Sequence, residues 1–150
     1  MARAINNAGL DLIKSFEGLR LESYQDVAGI WTVGYGHIKN VTSGMTITEA
    51  QAMAFLRQDI ADAEQTVDSA CANVPTTDNQ FAAMVSLCFN IGGGNFRSSS
   101  VLKSHIAKNS AAAADAFLKW DKAHVDGQLV VVNGLHKRRE REKALYLLQA

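Results

Sequence analysis

The chain has 150 residues, of which 47% are hydrophobic and 20% are charged, and its 15 basic and 15 acidic side chains cancel. This composition is typical of one soluble globular domain, and a chain of this length buries about 70% of its unfolded surface without a metal or disulfide framework. Because it has one proline and no apolar run near the roughly 20 residues of a membrane helix, linker-like and membrane-spanning proteins are excluded.

The first predicted elements are a short helix and a β-hairpin. Apolar positions recur at helical spacing until Gly18 ends the helix. Strand-forming residues dominate from Glu22 to His37, and Asp26-Val-Ala-Gly29 places Asp first and Gly fourth, as a type I turn prefers. Residues 1–47 are therefore interpreted as a small lobe built on one hairpin.

A long helix and a larger helical lobe are predicted to follow. The capping box Thr48-Glu-Ala-Gln51 begins a helix whose apolar stripe continues to about residue 70. A second capping box, Thr77-Asp-Asn-Gln80, begins an almost wholly apolar helix, and further helices are predicted near 99–108, 111–122 and 135–148. The predicted fold class is α+β and mostly α-helical. It is one two-lobed domain, 1–150, in which a hairpin lobe (1–47) and a helical lobe (71–150) are joined by helix 48–70.

Charge is unevenly distributed along the chain. Residues 1–70 hold five Lys/Arg against nine Asp/Glu, a net −4, so residues 71–150 carry a net +4. A basic half can face an anionic polymer, but a solvated surface is the simpler interpretation.

The densest basic run, residues 137–143, is interpreted as the wet face of an amphipathic last helix. Its leucines, Leu145, Leu147 and Leu148, are expected to point inward. Nucleic acid is therefore not an expected partner.

The chain has two cysteines, Cys71 and Cys88, and four scattered histidines. The cysteines lack metal-ligand spacing, and no zinc-protease, nucleophile-elbow or phosphate-loop motif is present. Two buried thiols are the favoured interpretation, and a bridge between them is the alternative. A metal site is not predicted.

Glu17 is the carboxylate that the pattern singles out. It follows Leu10 and Ile13 on one helical stripe, so its side chain points along an apolar face at the negative end of the helix. Desolvation and the helix dipole both disfavour the charged form, which raises the pKa of this carboxyl and suits it to donate a proton. A solvated glutamate at a helix end is the alternative.

Asp26 has contrasting surroundings. It begins the predicted turn, nine residues after Glu17, where water and backbone amides keep a carboxylate ionised. One protonated and one ionised carboxyl match the needs of glycosidic bond hydrolysis, in which the leaving oxygen is protonated while water is activated on the opposite side. An aspartate that only caps the turn is the alternative.

Several motifs resemble those of one family, in the same order. The amino-terminal ones are Phe16-Glu-Gly-Leu-Arg20, Tyr24, Asp26, Gly29 and Thr32-Val-Gly-Tyr-Gly-His37. The later ones are Ile47-Thr48, Asn79-Gln80-Phe81, Phe89-Asn90-Ile91-Gly92, and Gly134-Leu135 followed by Arg138-Arg139 and Glu142. Spanning essentially the whole chain, they are similar to the signature of phage-type lysozymes, the endolysins of tailed phages. Asn133 departs from the pattern, because a proline often precedes Gly-Leu.

The resemblance implies muramidase activity, the hydrolysis of the β-1,4 bond between N-acetylmuramic acid and N-acetylglucosamine in peptidoglycan, without a cofactor. At the matching positions, Glu17 is implied as the proton donor, and Asp26 and Thr32 as the residues that hold and activate the attacking water. Direct attack by water inverts the anomer and needs carboxyls about 6.5–9.5 Å apart, whereas about 5–5.5 Å indicates a covalent intermediate. Inversion is predicted.

Four further residues are predicted to bind sugar. A ring can approach the backbone closely at Gly34 and Gly36, and the resemblance implies substrate contacts for Phe89 and Asn90, where an amide can bond an N-acetyl group. The alternatives are strand irregularity at the glycines and core packing of Phe89.

His37 is interpreted as a structural residue. An aspartate on the long helix, Asp59 or Asp62, is expected to pair with it and tether the hairpin to that helix.

The resemblance also implies where the enzyme acts. Because the amino terminus lacks the apolar core of a secretion signal, a monomer in the host cytoplasm is expected, without stable membrane insertion. A phage membrane-disrupting protein, a holin, is then needed for it to reach the periplasm and cell wall. Two rival functions remain: a lytic transglycosylase, which needs one acidic residue and activates no water, and a non-catalytic wall-binding module.

Overall fold

A computed structural model describes residues 3–148 of the chain. Seven α-helices, one 3₁₀ helix and two antiparallel hairpins are assigned in this part of the chain. In chain order they are α1 (Asn7–Glu17), β1 (Arg20–Gln25), β2 (Trp31–Gly34), α2 (Glu49–Ala70), α3 (Asp78–Ile91), α4 (Gly93–Ser98), α5 (Ser100–Ile106), α6 (Ser110–Ala116), the 3₁₀ helix (Phe117–Trp120), β3 (Lys122–Val125), β4 (Gln128–Val131) and α7 (Asn133–Leu147).

The described chain divides into two compact units. The hairpin unit is Ile13–Ala61, and the helical unit is formed by residues 3–12 together with 62–148. Helices α1 and α2 therefore contribute residues to both units. The sequence places all of 1–47 in the hairpin lobe, and the structure differs at residues 3–12.

Contacts near the amino terminus explain why residues 3–12 belong to the helical unit. The Ile5 backbone N–H donates to Oε2 of Glu64 at 2.7 Å. A Cβ at Gly9 would lie 2.8 Å from the Cβ of Ala82, closer than side chains allow. The start of α1 is thus packed directly against α3 and bonded to α2.

The hairpin unit is built around β1 and β2. Their register pairs Tyr24 with Thr32 and Gln25 with Trp31, and an irregularity interrupts the ladder between Arg20 and Tyr24. Helix α2 begins in this unit with the expected capping box, since Gln51 N donates to Thr48 Oγ1 at 3.1 Å and Thr48 N donates to Gln51 Oε1 at 2.9 Å. The buried hydrophobic side chains of this unit are Ile13, Val33, Tyr35, Ile47, Ala52, Leu56 and Ile60.

Helix α3 forms the centre of the helical unit, as the sequence predicts. Thr77 caps its start, and the reciprocal bond from the Thr77 N–H to the Gln80 side chain completes the capping box. Every residue from 81 to 88 is buried. An amphipathic helix would expose one face, so this all-round burial accounts for the unbroken apolar run.

The prediction of a single hairpin is wrong, and the helix predicted near 111–122 is shorter than expected. Helix α6 ends at Ala116, the 3₁₀ helix follows, and β3 begins at Lys122. A regular β3–β4 ladder turns at Asp126 and Gly127, whose φ angles are 52° and 81°. Two positive φ angles match a tight hairpin turn and end any helix.

The interpretation of the last helix as a wet basic face is wrong in part. Lys137, Glu140 and Arg141 are exposed and Leu145 is buried, as expected, but Arg138, Arg139 and Glu142 are buried, and Leu147 and Leu148 are exposed. The buried charges compensate one another: Arg139 Nη1 donates to Glu142 Oε1 at 2.5 Å and Arg138 Nε donates to Glu142 Oε2 at 3.3 Å. Such pairing removes most of the cost of burying charge.

Both cysteines are buried free thiols, as favoured from the sequence. Burial raises the pKa of Cys88 to about 11 and also raises the pKa of Cys71. They are therefore packing residues with little thiolate character at neutral pH. Across residues 3–148, every helix is too short or too polar to cross a lipid bilayer.

Candidate active site

Glu17 is the last residue of α1, where the chain turns from helix to hairpin. Gly18 terminates the helix with a φ of 71°, and its N–H donates to the Lys14 carbonyl at 3.0 Å. The Glu17 side chain is half-buried. Its position is therefore set by the end of a helix rather than by a flexible loop.

The carboxyl of Glu17 lies against the backbone at Gly36. Backbone hydrogen bonds of 2.9 Å in both directions between Val33 and His37 close a tight loop, in which Gly36 has a φ of 80°. A Cβ at Gly36 would lie 3.3 Å from Glu17 Oε1. Glycine therefore serves here both for its backbone angle and for the room that it leaves beside the carboxyl.

Gly34 has a different environment. It is buried, and a Cβ there would lie 3.2 Å from the Cβ of Ala52 and 3.3 Å from Cδ1 of Ile47. The absent side chain allows the hairpin to pack on the start of α2. Contact between Gly34 and sugar stays a prediction.

Asp26 is held by the turn that it begins. Its Oδ1 accepts the N–H groups of Ala28 and Ile30, both at 2.9 Å, and its own N–H donates to the Ile30 carbonyl at 2.9 Å. The turn-capping role that the sequence allows is therefore present. Because Oδ1 takes both turn amides, Oδ2 is the oxygen left to act on a solvent molecule.

Thr32 and Asp26 both donate a hydrogen bond to the Ile30 carbonyl. Its buried hydroxyl donates to the Ile30 carbonyl at 3.0 Å. A hydroxyl that has used its proton can only accept further hydrogen bonds, so Oγ1 is available to a water proton. One carbonyl, that of Ile30, thus accepts from both residues and fixes their relative placement, a link that the sequence analysis missed.

His37 contacts Asp59, one of the two aspartates considered from the sequence. Its Nδ1 donates to Asp59 Oδ2 at 2.9 Å, and its ring stacks on Phe55 with centroids 4.2 Å apart. Phe55 and Asp59 are four residues apart on α2 and so share one face of that helix. This spacing could have identified Phe55 as a second contact of His37, but the sequence analysis did not name it.

Phe89 and Asn90 lie in the helical unit, in the last turn of α3, where Phe89 is half-buried and Asn90 is exposed. The Asn90 side chain accepts a short hydrogen bond from Nη2 of Arg139 on α7. Arg139 was assigned to a solvated face in the sequence analysis. Glu142, three residues later on the same helix, is the signal that could have identified it as a buried partner.

The described part of the chain contains no group of three or more His, Cys, Asp or Glu side chains placed to hold a metal ion.

Comparison with known proteins gives a consistent family. The family model for phage lysozyme matches residues 14–142. An endolysin of Acyrthosiphon pisum secondary endosymbiont phage 1 is 47% identical over 142 residues, covering 95% of this chain and 97% of the relative.

Solved structures agree with this assignment. An endolysin from Escherichia coli O157:H7 phage FAHEc1 superposes with a TM-score of 0.92 at 43% identity, covering 97% of this chain and 94% of that one. The muramidase domain of SpmX from Asticaccaulis excentricus superposes with a TM-score of 0.91 at 40% identity, covering 98% of this chain and 99% of that one. The fold and the family match define a glycoside hydrolase of the lysozyme type. The chain belongs to the phage lysozyme family.

Proposed function

We propose that this chain is a muramidase that hydrolyses the β-1,4 bond between N-acetylmuramic acid and N-acetylglucosamine, with Glu17 as general acid and Asp26 and Thr32 activating water. The observation that carries the proposal is the shared attachment of Asp26 and Thr32 to Ile30, in the same unit as the Glu17 carboxyl beside Gly36. Membership of the lysozyme family supports the substrate class.

The proposed reaction is a single displacement. Glu17 donates its proton to the glycosidic oxygen as the bond to the anomeric carbon breaks. Water attacks that carbon from the opposite side, giving one proton to Asp26 while Thr32 Oγ1 accepts a hydrogen bond from the other. The product anomer is inverted, and the raised pKa of Glu17 expected from its helix-end position remains a prediction.

Gly34, Gly36, Phe89 and Asn90 are proposed to contact the sugar chain. The exposed amide of Asn90 suits an N-acetyl group, and the backbone of Gly36 lies beside the proposed acid. His37 and Asp59 are proposed to hold the hairpin rather than to react, because the buried His37 ring is occupied by Asp59 and Phe55.

Glu17→Gln tests the assignment. Clearing of a suspension of exposed cell wall should slow by a factor of about 10²–10⁴, the usual contribution of a general acid. Glu22→Gln, at an exposed glutamate of β1, is the matched control and should clear at the wild-type rate. Circular dichroism and melting should be unchanged in both variants. Undiminished clearing by Glu17→Gln would end the proposal, and wall binding without clearing by the wild type would favour a binding module.

Product analysis tests the role of water. Proton NMR of fresh digests should show the inverted anomer, and mass spectrometry should show one water added per cleavage. Net retention would contradict direct attack. A 1,6-anhydro product would instead identify a lytic transglycosylase.

We also propose that the protein is a monomer that waits in the host cytoplasm and reaches the wall once a phage holin opens the membrane. The endolysin names of its relatives support the cell wall as the place of action. Expression in a bacterial host should lyse the cells only with a co-expressed membrane-disrupting protein, and sedimentation should give the mass of one chain. Lysis without that protein would contradict the route.

A further inference from the structure

Arg20 and Tyr24 form a stacked pair on β1, in the hairpin unit. The guanidinium carbon of Arg20 lies 4.2 Å from the centroid of the Tyr24 ring. A cation is attracted by the face of an aromatic ring within about 6 Å of its centroid. Because Arg20 is exposed and Tyr24 is half-buried, the ring restrains a guanidinium that would otherwise move freely in water.

The charge of Arg20 has no counter-ion in the described part of the chain. Among residues 3–148, its guanidinium forms no hydrogen bond or ion pair and contacts only the Tyr24 ring as a charged group. Arg3 is the contrasting case: it stacks 4.8 Å from the Phe81 centroid, and its Nη2 also donates to Asp78 Oδ1 at 2.6 Å. Arg20 therefore keeps its N–H donors for a group outside the protein.

The strand register places this pair beside Thr32. Tyr24 is directly opposite Thr32 in the β1–β2 ladder. Residues that face each other across an antiparallel pair point to the same side of the sheet, with Cβ atoms about 4.5–5.5 Å apart. Tyr24 thus shares a face with Thr32, and the guanidinium that covers its ring lies on that face. A restrained, uncompensated cation is therefore a neighbour of the residue proposed to hold the attacking water.

The chemistry of the proposed substrate brings a negative charge to the same region. In the proposed reaction, water attacks the anomeric carbon of N-acetylmuramic acid. This sugar differs from N-acetylglucosamine by a lactyl arm, which ends either in a free carboxylate or in a stem peptide that bears carboxylates. The ring that water attacks is therefore the ring that carries the anionic arm. Arginine matches a carboxylate with two parallel N–H groups.

We propose that Arg20 is a specificity-determining residue that binds a carboxylate on the lactyl arm of the attacked sugar, and that Tyr24 positions it. This inference rests on the proposed function. An exposed ion pair usually contributes little, because two long side chains lose their freedom when they pair. Stacking restrains the guanidinium before the substrate arrives, which lowers that cost. The enzyme therefore distinguishes a charged arm from an uncharged one.

Three kinds of soluble, uncross-linked peptidoglycan strand are the probes. The first carries stem peptides with free carboxylates, and the second carries the same peptides with every carboxyl converted to a carboxamide. The third has no peptide and a free lactyl carboxylate. Amines are acetylated in all three, so that no strand is positively charged.

The wild type should discriminate among these strands by charge. Its KM should be about tenfold higher for the amidated strand than for at least one carboxylate strand, in the range of one charge-assisted hydrogen bond. The strand with the lower KM identifies the lactyl or the stem-peptide carboxylate as the ligand. Because the pair is exposed, the preference should shrink when the salt concentration rises from about 0.05 M to about 0.5 M.

Arg20→Gln is the decisive variant, because it removes the charge at an exposed position. It should raise the KM for the preferred carboxylate strand about tenfold and leave the KM for the amidated strand within about twofold. The value of kcat should stay within about threefold of wild type on both. Arg57→Gln is the matched control, since it makes the same change at an exposed arginine of α2 in the same unit, and it should keep the wild-type preference.

Substitutions of Tyr24 test its positioning role. Tyr24→Leu removes the ring that restrains the guanidinium, so it should raise the KM for the preferred carboxylate strand several-fold. This effect should disappear when Arg20 is already glutamine. Tyr24→Phe keeps the ring and should keep the preference. If Tyr24→Leu does not fold, the Arg20 variant decides.

The inference and the proposed function fail in different ways. Equal KM values of the wild type for all three strands would overturn the inference, although Glu17→Gln would still abolish cleavage. An Arg20→Gln variant that keeps the preference would also overturn it. So would a KM that rises equally on charged and amidated strands, since Arg20 would then act through the fold alone. Normal cleavage by Glu17→Gln would instead end the proposed function.

Discussion

The two hairpins are alike as local structures and different in what surrounds them. In β1–β2, the second strand is buried from Thr32 to Gly34, and Val33 is 0% exposed. In β3–β4, seven of the eight residues are exposed, and Val131 is 54% exposed. Only the first hairpin carries residues proposed for the reaction. A two-stranded hairpin is marginally stable alone, so burial of one strand is what allows it to hold a reactive group in place.

The turns of the two hairpins show the same contrast. Asp26 is fixed because its side chain accepts from two turn amides, and its backbone N–H donates to the Ile30 carbonyl, which also accepts from Thr32. The second turn reverses through the positive φ angles of Asp126 and Gly127. A turn that needs only backbone angles can reverse the chain, but it does not direct a carboxylate.

The largest expected difference in wall clearing is between variants of the two turn aspartates, Asp26 and Asp126. Asp26→Asn keeps an oxygen for the turn amides and removes the charge that would take a proton from water. Wall clearing should fall by a factor of about 10²–10⁴, with melting nearly unchanged. Asp126→Asn, in the other turn, is the matched control and should clear normally, since asparagine tolerates its φ of 52°. Equal loss in both variants would contradict the division between the hairpins.

Two glycines with nearly equal φ angles give the next comparison. Gly36→Ala and Gly127→Ala both force alanine into the left-handed region, at 80° and 81°, and each should cost about 1–2 kcal/mol of stability. Only at Gly36 does the new Cβ meet Glu17, 3.3 Å from Oε1, whereas nothing lies within 4 Å at Gly127. Clearing should therefore fall by a factor of about 10² for Gly36→Ala alone, as expected for a misplaced catalytic group. Similar clearing rates would show that the Glu17 position is tolerant.

Substituting one valine in each hairpin, Val33 in β2 and Val131 in β4, tests how much the difference in burial contributes to stability. Val33→Ala should lower the free energy of unfolding by about 2 kcal/mol, because it leaves a cavity in the hairpin unit. Val131→Ala, at an exposed position of β4, should change it by less than about 0.5 kcal/mol. Denaturant unfolding at neutral pH measures both. Equal losses would mean that β4 is covered in solution.

The smallest expected effect is acid sensitivity at the base of the second hairpin. The hydrogen bond from His136, with Lys122 nearby, holds the pKa of Asp121 below its ordinary value of 3.8, and the Asp121 carbonyl accepts from Val132 N–H at 2.9 Å. At pH values near and below the ordinary pKa of Asp121, the unfolded chain therefore binds more protons than the folded chain. The stability from Asp121 is present above about pH 4 and is lost as pH falls through the folded pKa.

Hydrogen exchange should reveal this loss as a modest fall in protection of the β3–β4 amides below about pH 4. The change should be smaller in Asp121→Asn, which has no carboxylate to titrate at that position. The amides of β1–β2 serve as the internal reference. A fall of the same size in both hairpins, or in the variant, would show that Asp121 is not its cause.

Local signals in the sequence were sufficient for many elements. The capping boxes at Thr48 and Thr77 correctly mark the starts of α2 and α3, and the Asp26 turn correctly marks the first hairpin. The second hairpin was missed although Asp126-Gly127 is a typical hairpin turn between strand-forming residues. The alanine-rich stretch before it favours a helix, and propensity alone does not say where such a helix ends.

The candidate residues could be named from the sequence, but their surroundings could not. The motif around Glu17, Asp26 and Thr32 is local, so those positions could be named from the chain. The contact of Arg139 with Asn90 joins residues 49 positions apart, and the charge run around Arg139 reads equally well as a solvated surface. The one local signal is Glu142, three residues later on the same helix, and that spacing also occurs in exposed pairs.

The sequence by itself determined the family, the order of the main helices and the first hairpin, and it named the candidate carboxyl groups, because caps, turns and helical spacing depend on residues a few positions apart. Only the tertiary structure decided that residues 3–12 pack with the helical unit, that Arg138, Arg139 and Glu142 of the last helix are buried, and which polar groups bond to Ile30 and Arg139. Burial and pairing are made by residues distant in the chain, so they exist only after the units have packed.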